Sequence, residues 1–435
     1  MFCGCDNKAD EAQPNTLVCP VCMGMPGVLP VANRQAIEWT LKTGLALNCK
    51  IAEKSRFDRK HYFYPDLPKN YQISQYDKPF CNEGYLEIDV AGKAKKINIT
   101  RVHLEEDAGK LVHTDDSSLV DLNRAGTPLM EIVTEPDINS PKESKIFMQE
   151  LRSILRYLDV SDADMEKGHL RCDANISIAI DDKEGVPVEI KNLNSFRMVE
   201  RALIFEEKRQ IGEIEEDKKI EKETRGWNDS KGESYSQRDK EFAQDYRYFP
   251  EPDLPPFDHS GLDIEKIKSE IPELPAQKRK RYLAMGIKIQ DAEILAVDQK
   301  MADYFEGVSK AVSPKLAANW IINELKMDGI LIVSPEDLGE MLQKLEKGKI
   351  TGKMAKEILA KMIAGEKVEF IDEVIDEGEV GKIIDKVIAA NPKPIADVKA
   401  GKKQALGFLI GQVMRESAGK ANPKEVNKIL LERIK

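Results

Sequence analysis

The residues best suited to chemistry lie in a segment, residues 169–194, that alternates polar and apolar side chains. Over residues 170–180 every second side chain is apolar, which is the period of a half-buried β-strand. A polar turn at residues 181–185 and a second alternating run after it predict an antiparallel hairpin. The polar side chains that would share one surface of this hairpin are Arg171, Asp173, Asn175, Glu189 and Lys191.

This polar surface fits two interpretations. Polar residues of an antiparallel strand commonly form a solvated outer face. Here, however, short amides and carboxylates are mixed with Arg and Lys, a combination that suits the binding of a divalent cation and of phosphate groups. We therefore favour a functional site on this hairpin over a plain solvent-facing surface.

Four cysteines near the N-terminus form two close pairs, C-x-C and C-x2-C, separated by thirteen residues. Such pairs suit a tetrahedral structural zinc site in a reducing compartment. The alternative is a pair of disulfides in a secreted domain, which the lack of a recognisable signal segment disfavours. The predicted zinc ligands are Cys3, Cys5, Cys19 and Cys22.

The length and composition of the chain indicate a globular protein of two or three domains. A chain of 435 residues is too long for one simple core, and 41% of the residues are hydrophobic. A net charge of −10 argues against nonspecific nucleic-acid binding by the whole chain. Residues 381–435 are basic, with 12 Lys and Arg against 5 Asp and Glu. This tail is either an RNA-binding module or, as charge alone favours, an ordinary Lys-rich helical surface. Without an apolar run of the ~18 residues that cross a bilayer, we expect a cytoplasmic protein.

Local patterns divide the chain into an α+β part with a mixed or antiparallel sheet and a helical part. Ser140 and Pro141 open a helix with a capping box, and Ser195 caps a second helix. Beyond Pro256 the strand signals give way to helical periodicity. We predict an α+β catalytic domain over residues 1–260, an all-α domain over 261–365, and a small helical tail domain over 366–435.

Several catalytic motifs are missing from the sequence. Neither a P-loop nor the glycine pattern of a dinucleotide-binding fold occurs, so a standard nucleotide site is not expected. There is no G-x-S-x-G elbow, and no Gly-Gly pair that a glycine- and serine-rich amidase loop would need. The nucleophile loop typical of amidases is therefore absent from the sequence.

Longer motifs carry a resemblance to one family. They include Cys-Pro-Val-Cys-Met-Gly-Met-Pro-Gly, His-Leu-Glu-Glu-Asp-Ala-Gly-Lys, Asp-Leu-Asn-Arg-Ala-Gly-Thr-Pro-Leu-Met-Glu-Ile-Val and Asp-Tyr-Arg-Tyr-Phe-Pro-Glu-Pro-Asp-Leu-Pro-Pro. In these motifs the chain resembles GatB, the B subunit of the aspartyl/glutamyl-tRNA amidotransferases, and the resemblance extends over essentially all 435 residues.

The resemblance implies a cradle-like catalytic domain, a helical domain and a tail that contacts tRNA. It implies a ligase that uses ATP and Mg²⁺ to phosphorylate the side-chain carboxylate of Glu-tRNA(Gln), and often of Asp-tRNA(Asn). Ammonia channelled from a glutaminase, the A subunit, then displaces phosphate and leaves an amide. The C subunit completes the implied heterotrimer.

The residues of the hairpin suit this chemistry, because phosphoryl transfer needs positioning and neutralisation of oxygen charge. We expect Mg²⁺ to be bound by Glu106, Asp173 and Glu189, the last two also acting in catalysis. Lys191 and Arg171 would stabilise the phosphate charge. Predicted nucleotide-binding residues are Asn175, Asn192 and Ser195, and the four cysteines would hold a structural Zn²⁺.

One departure from the family pattern lies at the start of the chain. The family opens with a strand reading Gly-Leu-Glu-Val-His, whose Glu and His help to bind the metal, whereas this sequence begins Met-Phe-Cys. We expect the 435-residue form to be impaired in amide formation. The alternative function is a noncatalytic, zinc-containing tRNA-binding scaffold, which would bind tRNA without consuming ATP and would be indifferent to Asp173→Ala.

Overall fold

A computed structural model describes residues 1–180, 183, 185–237, 246–325, 330, 332–366, 368, 377–399, 402–417 and 420–434. The chain divides into two compact units, Met1–Leu274 and Pro275–Lys435. The first unit holds all of the strands in the described residues, and the second is helical. The predicted combination of an α+β part followed by a helical part is confirmed. The predicted boundaries near residues 260 and 365 stay predictions.

Four α-helices occur in the described part of the first unit, and the sequence patterns locate the ends of the longest ones. The Ser140 hydroxyl accepts a hydrogen bond from Glu143 N, and the Glu143 carboxylate accepts one from Asn139 N, as expected of a capping box. Ser195 caps the third helix by accepting from Met198 N. The helices are α1 (Arg34–Ala46), α2 (Pro141–Tyr157), α3 (Phe196–Glu215) and α4 (Ile264–Ser269).

Fifteen strands are distinguished in the described part of the first unit, most of them short. They are β1 (Lys50–Ile51), β2 (Lys54–Ser55), β3 (Asp58–His61), β4 (Tyr71–Ser74), β5 (Cys81–Val90), β6 (Lys93–Glu106), β7 (Lys110–His113), β8 (Ser118–Asp121), β9 (Pro128–Thr134), β10 (Ala174–Ile176), β11 (Val188–Lys191), β12 (Thr224–Asn228), β13 (Glu233–Ser236), β14 (Phe249–Pro250) and β15 (Phe257–Asp258).

The main sheet has the order β1-β5-β6-β9 and is antiparallel throughout. The turn between β5 and β6 lies at Ala91 and Gly92, both of which have positive φ, as a tight hairpin turn requires. A bulge between Ile99 and Arg101 changes which side chains face the core. Before the bulge the odd-numbered Ile97 and Ile99 are buried; after it the even-numbered Val102 and Leu104 take their place. The bulge therefore turns His103 and Glu105 to the face opposite the apolar side chains.

A second sheet, of order β10-β11-β12-β13, contains the predicted hairpin. Strands β10 and β11 pair in antiparallel fashion, with Asn175 opposite Glu189, whereas β11 and β12 are parallel. The expected strand over residues 170–180 was too long: alternating burial continues along it, but ladder pairing is confined to Ala174–Ile176. Of the predicted turn, residues 181, 182 and 184 lie outside the described residues.

This sheet is joined to α3 by one buried carboxylate. Glu206 has no exposed surface. Its oxygens receive hydrogen bonds from Arg209 Nε at 2.9 Å, from Gln210 Nε2 at 3.1 Å and from Ser234 Oγ at 3.0 Å. Arg225 Nε on β12 lies 3.5 Å away. A buried charge needs such partners, so this network fixes α3 against β12 and β13.

Three smaller sheets complete the first unit, in the orders β14-β3-β4, β15-β2 and β7-β8. The first places β14 beside β3, and Arg59 on β3 binds Glu251 through two hydrogen bonds of 2.8 and 2.9 Å. One hydrophobic core joins α1 to α4 with β5, β6 and the inner face of β11. Of these elements, β6 and β11 carry side chains of the candidate site.

The second unit consists of helices, with a π-helical turn at Ile321–Leu325. Its helices are α5 (Pro275–Ala284), α6 (Ile289–Ala296), α7 (Gln299–Ser309), α8 (Pro314–Trp320), α9 (Pro335–Glu346), α10 (Gly352–Ile363), α11 (Glu377–Ala390), α12 (Pro392–Lys399), α13 (Lys403–Glu416) and α14 (Pro423–Ile434). Residues of α11, α13 and α14 form a hydrophobic core of their own.

An ion-pair network ties α5 to α7. Glu306 accepts hydrogen bonds from Lys278 Nζ at 2.6 Å, from Arg281 Nη2 at 2.7 Å and from the Tyr282 hydroxyl at 2.7 Å. Partial burial opposes ionisation, but these donors outweigh it and lower the pKa of Glu306 to about 2. Among the described helices of both units, none is long and apolar enough to cross a membrane.

Candidate functional site

A group of potential metal ligands lies where β6 pairs with β9. The register places His103 opposite Glu131, and Glu105 follows two residues later on the same face of β6. The ligand atoms of these three residues lie within 4.8 Å of one another. We call His103, Glu105 and Glu131 the β6–β9 cluster.

The hydrogen bonds of His103 indicate where its ring proton lies. Arg101 Nε, which always carries a hydrogen, points at His103 Nδ1 at 3.3 Å, so Nδ1 acts as the acceptor. In the neutral ring the proton is then on Nε2, which lies 3.8 Å from a carboxylate oxygen of Glu105 and 3.8 Å from one of Glu131. In this arrangement the two carboxylates, and not the imidazole, are the ligands available to a cation.

Glu105 is buried yet ionised. Its carboxylate accepts a hydrogen bond from Ser74 Oγ at 2.8 Å, and Lys60 Nζ lies 3.8 Å away. Burial alone would raise the pKa of Glu105, but the interactions with His103 and Lys60 outweigh it and bring the pKa below its usual value. The carboxylate is therefore charged at neutral pH.

The hairpin residues approach this cluster. Lys191 Nζ lies 3.4 Å from Glu189 on β11 and 4.0 Å from Asp173, which directly precedes β10, so one ammonium bridges the two carboxylates. Partial burial, together with the negative charges of Glu189 and Glu131, raises the pKa of Asp173, while Lys191 opposes the rise. The charge of Glu131 thus acts on the Asp173 carboxyl, which links the hairpin electrostatically to the β6–β9 cluster.

Arg171 joins this surface through a different carboxylate. Its Nη2 lies 2.8 Å from Asp107, and Arg124 Nε lies 3.3 Å from the same group. Arg124 also donates to the carbonyl oxygens of Ala108 and Gly109. The Arg171 side chain is about half exposed.

The structure does not bring Glu106 together with Asp173 and Glu189. Neighbouring residues of a strand point to opposite faces, and Glu105, not Glu106, is on the face of His103. Glu106 is buried, ion-paired with Lys69, and accepts a hydrogen bond from Ile73 N at 2.9 Å. It lines a cavity of about 40 Å³ whose other walls include Phe2 and Cys22. The bulge in β6 reverses the faces of the residues after it, and the ligand set of Glu106, Asp173 and Glu189 stays a prediction.

The three predicted nucleotide-binding residues have different surroundings. Asn175 is exposed on the same face as Glu189. Asn192, exposed directly after β11, has a positive φ of 66°. The Ser195 hydroxyl is engaged in capping α3.

The four N-terminal cysteines converge. All four sulfur atoms lie within 4.8 Å of one another, and those of Cys19 and Cys22 are 3.8 Å apart. Four sulfurs at ~2.3 Å from a tetrahedral zinc ion would stand about 3.8 Å apart, so the spacing fits that ion. Burial would raise the pKa of Cys19, but hydrogen bonds with the backbone at Cys22 and Val21 lower it to about 7, which favours the thiolate that binds metal.

The loop between the cysteine pairs is attached to the segment that leads into β9. Asn15 Nδ2 donates to Val120 O at 2.9 Å, and Asn15 Oδ1 accepts from Leu122 N at 2.8 Å. Leu17 N donates to Asn123 Oδ1 at 2.8 Å. Three further hydrogen bonds join Asn15 N to Asp121, Asn123 to Gln13 O, and Thr127 to Asn7. We call these six bonds the loop clamp; the strand that follows carries Glu131.

Two family models match the chain: the GatB/GatE catalytic domain over residues 1–264, and the GatB domain over residues 303–434. The chain belongs to the GatB/GatE family. Similar proteins include one from Carboxydothermus hydrogenoformans, 47% identical with 100% of this chain and 95% of the relative covered. One from Persephonella marina is 49% identical, with coverage of 100% and 96%. Both relatives are named as the B subunit of aspartyl/glutamyl-tRNA(Asn/Gln) amidotransferase.

The family membership confirms the resemblance found in the sequence, and the structure adds residues that sequence reasoning missed. Glu131 and Lys60 carried no separate signal in the sequence, and Glu105 was marked only as one of three acidic residues, 105–107, at a strand end that resemble a cation-ligating turn or a charged loop. The apolar Val102 and Leu104 could have revealed His103 and Glu105, since they predict that the intervening residues face away from the core. Glu131 lies beside His103 only because β6 pairs with β9, and no local sequence pattern predicts that pairing.

Proposed function

We propose that this chain is the component of a tRNA-dependent amidotransferase that activates and amidates Glu-tRNA(Gln), and Asp-tRNA(Asn) as well. The observation that carries the proposal is the meeting of four carboxylates with two ammonium groups on one surface. The carboxylates are those of Glu105, Glu131, Asp173 and Glu189, and the ammonium groups those of Lys60 and Lys191.

The reaction must make an unreactive acid reactive. A carboxylate resists attack by ammonia because its oxygen is a poor leaving group. Transfer of the γ-phosphoryl group of ATP to that oxygen releases ADP and gives an acyl phosphate. Ammonia then attacks the carbonyl carbon and loses a proton, phosphate departs with the C–O electron pair, and the amide remains.

The oxygen-rich surface fits Mg²⁺, which prefers carboxylate ligands. Glu105 and Glu131 would hold the ion, with Asp173 and Glu189 beside them. When bound, Mg²⁺ neutralises charge on phosphate oxygens. The ordered partners of Glu105, Ser74 and Lys60, keep its carboxylate ionised and oriented for this task.

The cationic side chains have a separate role. Lys191, held between Asp173 and Glu189, presents an ammonium group where phosphate charge develops. Arg171 is held by Asp107 with its exposed side toward solvent, where it can bind a second phosphate oxygen. Asn175 and Asn192, both exposed next to this surface, are proposed to bind the nucleotide. For Ser195 the capping role is the better supported one, since its hydroxyl is already engaged.

The remaining features fit one component of a larger assembly. We propose a structural Zn²⁺ on Cys3, Cys5, Cys19 and Cys22, a glutaminase (the A subunit) as the source of ammonia, and the C subunit as the third member of a heterotrimer. Hydrolysis of glutamine belongs to the glutaminase because this chain has no amidase loop. We propose that the assembly works in the cytoplasm and that the basic residues 381–435 contact tRNA.

The test is ATP cleavage that depends on Glu-tRNA(Gln), measured together with Gln-tRNA(Gln) in a complex reconstituted from the full chain and the A and C subunits. Asp173→Ala should lower both rates by at least about 100-fold, in the range of other losses of transition-state charge stabilisation. Glu87→Ala, which removes an exposed carboxylate of β5, is the matched control. A complex that binds the tRNA yet cleaves no ATP would instead be the noncatalytic scaffold, and an active complex that is indifferent to Asp173→Ala would remove Asp173 from the site.

A further inference from the structure

Four tyrosines lie together beside the β6–β9 cluster. The rings of Tyr76 and Tyr248 are stacked, with centroids 4.4 Å apart and planes only 11° from parallel. Tyr246 meets Tyr248 edge-on at 6.1 Å and Tyr62 edge-on at 6.0 Å. We call these four residues the tyrosine wall. Two of them come from the Asp-Tyr-Arg-Tyr-Phe-Pro motif, which the proposed chemistry does not otherwise use.

The wall adjoins the proposed metal ligands. Lys60 Nζ lies 5.1 Å from the centroid of the Tyr246 ring and 3.8 Å from the Glu105 carboxylate, so one side chain touches both groups. Burial raises the pKa of Tyr248, and the negative charges of Glu105 and Glu131 raise it further. The phenol of Tyr248 is therefore within the electrostatic reach of both carboxylates.

The outer member of the wall is open to solvent. Tyr76 is 55% exposed although one face of its ring is covered by Tyr248. Its backbone is fixed, since Tyr76 N donates to the buried Asp58 at 3.1 Å. Tyrosines that serve only to fill a core bury both faces of the ring. This one presents a flat aromatic surface from a rigid position.

We propose that the exposed face of Tyr76 stacks an adenine base that belongs to a substrate of the reaction. This inference rests on the proposed function, whose two substrates each carry an adenosine near the reacting group. In ATP the adenine is one triphosphate away from the transferred phosphorus; in aminoacyl-tRNA the terminal adenosine bears the amino acid as an ester. Unpaired bases are commonly bound by stacking on aromatic side chains.

The experiment compares Tyr76→Ala, Tyr76→Leu and Tyr76→Phe in the reconstituted complex. The Leu variant keeps apolar volume without an aromatic ring, and the Phe variant keeps the ring without the hydroxyl. Tyr85→Ala is the control, because Tyr85 is a partly exposed tyrosine on β5 whose ring lies 4.1 Å from Lys96 Nζ, outside the wall. The readouts are KM for ATP, KM for Glu-tRNA(Gln), and calorimetric binding of a non-hydrolysable β,γ-imido analogue of ATP.

Loss of the ring should weaken the binding of one substrate by about 5- to 150-fold, the equivalent of ~1–3 kcal/mol for a stacked base. A rise in KM for ATP with weaker binding of the analogue identifies ATP as the source of the base. A rise only in the KM for Glu-tRNA(Gln) identifies the terminal adenosine of the tRNA as the source of the base. The Phe variant and Tyr85→Ala should match the wild type. Unchanged KM values in the Ala and Leu variants, or a Phe variant as weak as Ala, would overturn the inference.

The two proposals fail in different ways. If the wild-type complex forms no Gln-tRNA(Gln), the proposed function is wrong. If the wild type is active and Tyr76→Ala matches it in every readout, only the stacking inference is wrong. Thermal melting of each variant separates loss of binding from loss of folding, and an exposed side chain such as Tyr76 should shift the melting temperature little.

Discussion

Removal of the proposed zinc site should weaken the structure at a distance, through the loop clamp. Cys19→Ala deletes one of four converging sulfurs, and three sulfurs bind zinc less tightly than four. Without the ion, the loop between the cysteine pairs regains conformational freedom. The six hydrogen bonds that hold it against residues 120–127 then have to order the loop alone.

The expected size of the effect follows from these bonds. Each hydrogen bond of this kind contributes about 0.5–1.5 kcal/mol net, and the low end applies because most of them are exposed. Loss of the six bonds of the loop clamp thus lowers the free energy of unfolding by about 3 kcal/mol. At ~2–4 °C per kcal/mol, the melting temperature falls by about 6–12 °C. Activity should fall too, because the clamped segment leads into the strand of Glu131.

The assay is differential scanning calorimetry of the full chain, with zinc content measured by atomic absorption before and after chelation. Cys49→Ala is the control, since it removes a thiol outside the cluster and should leave zinc content unchanged. Chelation of the wild type should reproduce the Cys19→Ala melting temperature. If the zinc-free chain has the same melting temperature as the zinc-loaded chain, the reasoning is refuted, because the loop would then be held by its hydrogen bonds alone.

Two further predictions concern buried charges away from the site. The pKa of Glu306, lowered to about 2, means that its ion pairs stabilise the second unit above pH 4.5 and lose that effect as pH falls toward 2. Glu306→Gln should therefore lower the melting temperature at pH 7 by the equivalent of ~1–2 kcal/mol after solvent screening, and the difference should vanish near pH 2; an equal loss at both pH values would contradict this. Glu206→Ala removes a fully buried carboxylate from a network in which Arg209 keeps Glu213 and Glu223, and Arg225 keeps Glu223, as partners. The free energy of unfolding in urea should fall by about 1–3 kcal/mol through the lost hydrogen bonds; an unchanged value would show that the network contributes little.

Local patterns in the sequence were enough to predict the ends of helices and the pairing of the central hairpin. Ser140 and Ser195 cap helices as their neighbours suggest, and Asn175 faces Glu189 as the alternation requires. The cysteine spacing predicted a cluster that the structure does assemble. These features depend on contacts within a few residues or across one turn, or on a spacing specific to one kind of site.

The ligand set depended on information that is not local. The bulge beside Arg101 inverts the faces of β6 after that point, and a strict period of two would have turned Glu106 outward instead of Glu105. Glu131 joins the cluster through a pairing 28 residues away in sequence, with His103. The tyrosine wall likewise brings Tyr76 against Tyr248 from distant segments. No composition or periodicity predicts such meetings.

The central claim is that carboxylates of β6, β9 and the hairpin share one cation. The most direct measurement is Mn²⁺ binding, with Mn²⁺ as a paramagnetic substitute for Mg²⁺, followed by electron paramagnetic resonance in the reconstituted complex. Glu131→Gln and Asp173→Asn should each weaken binding at least about 10-fold, whereas Glu87→Gln should not change it. Affinities that are equal in all three variants and the wild type would contradict the claim.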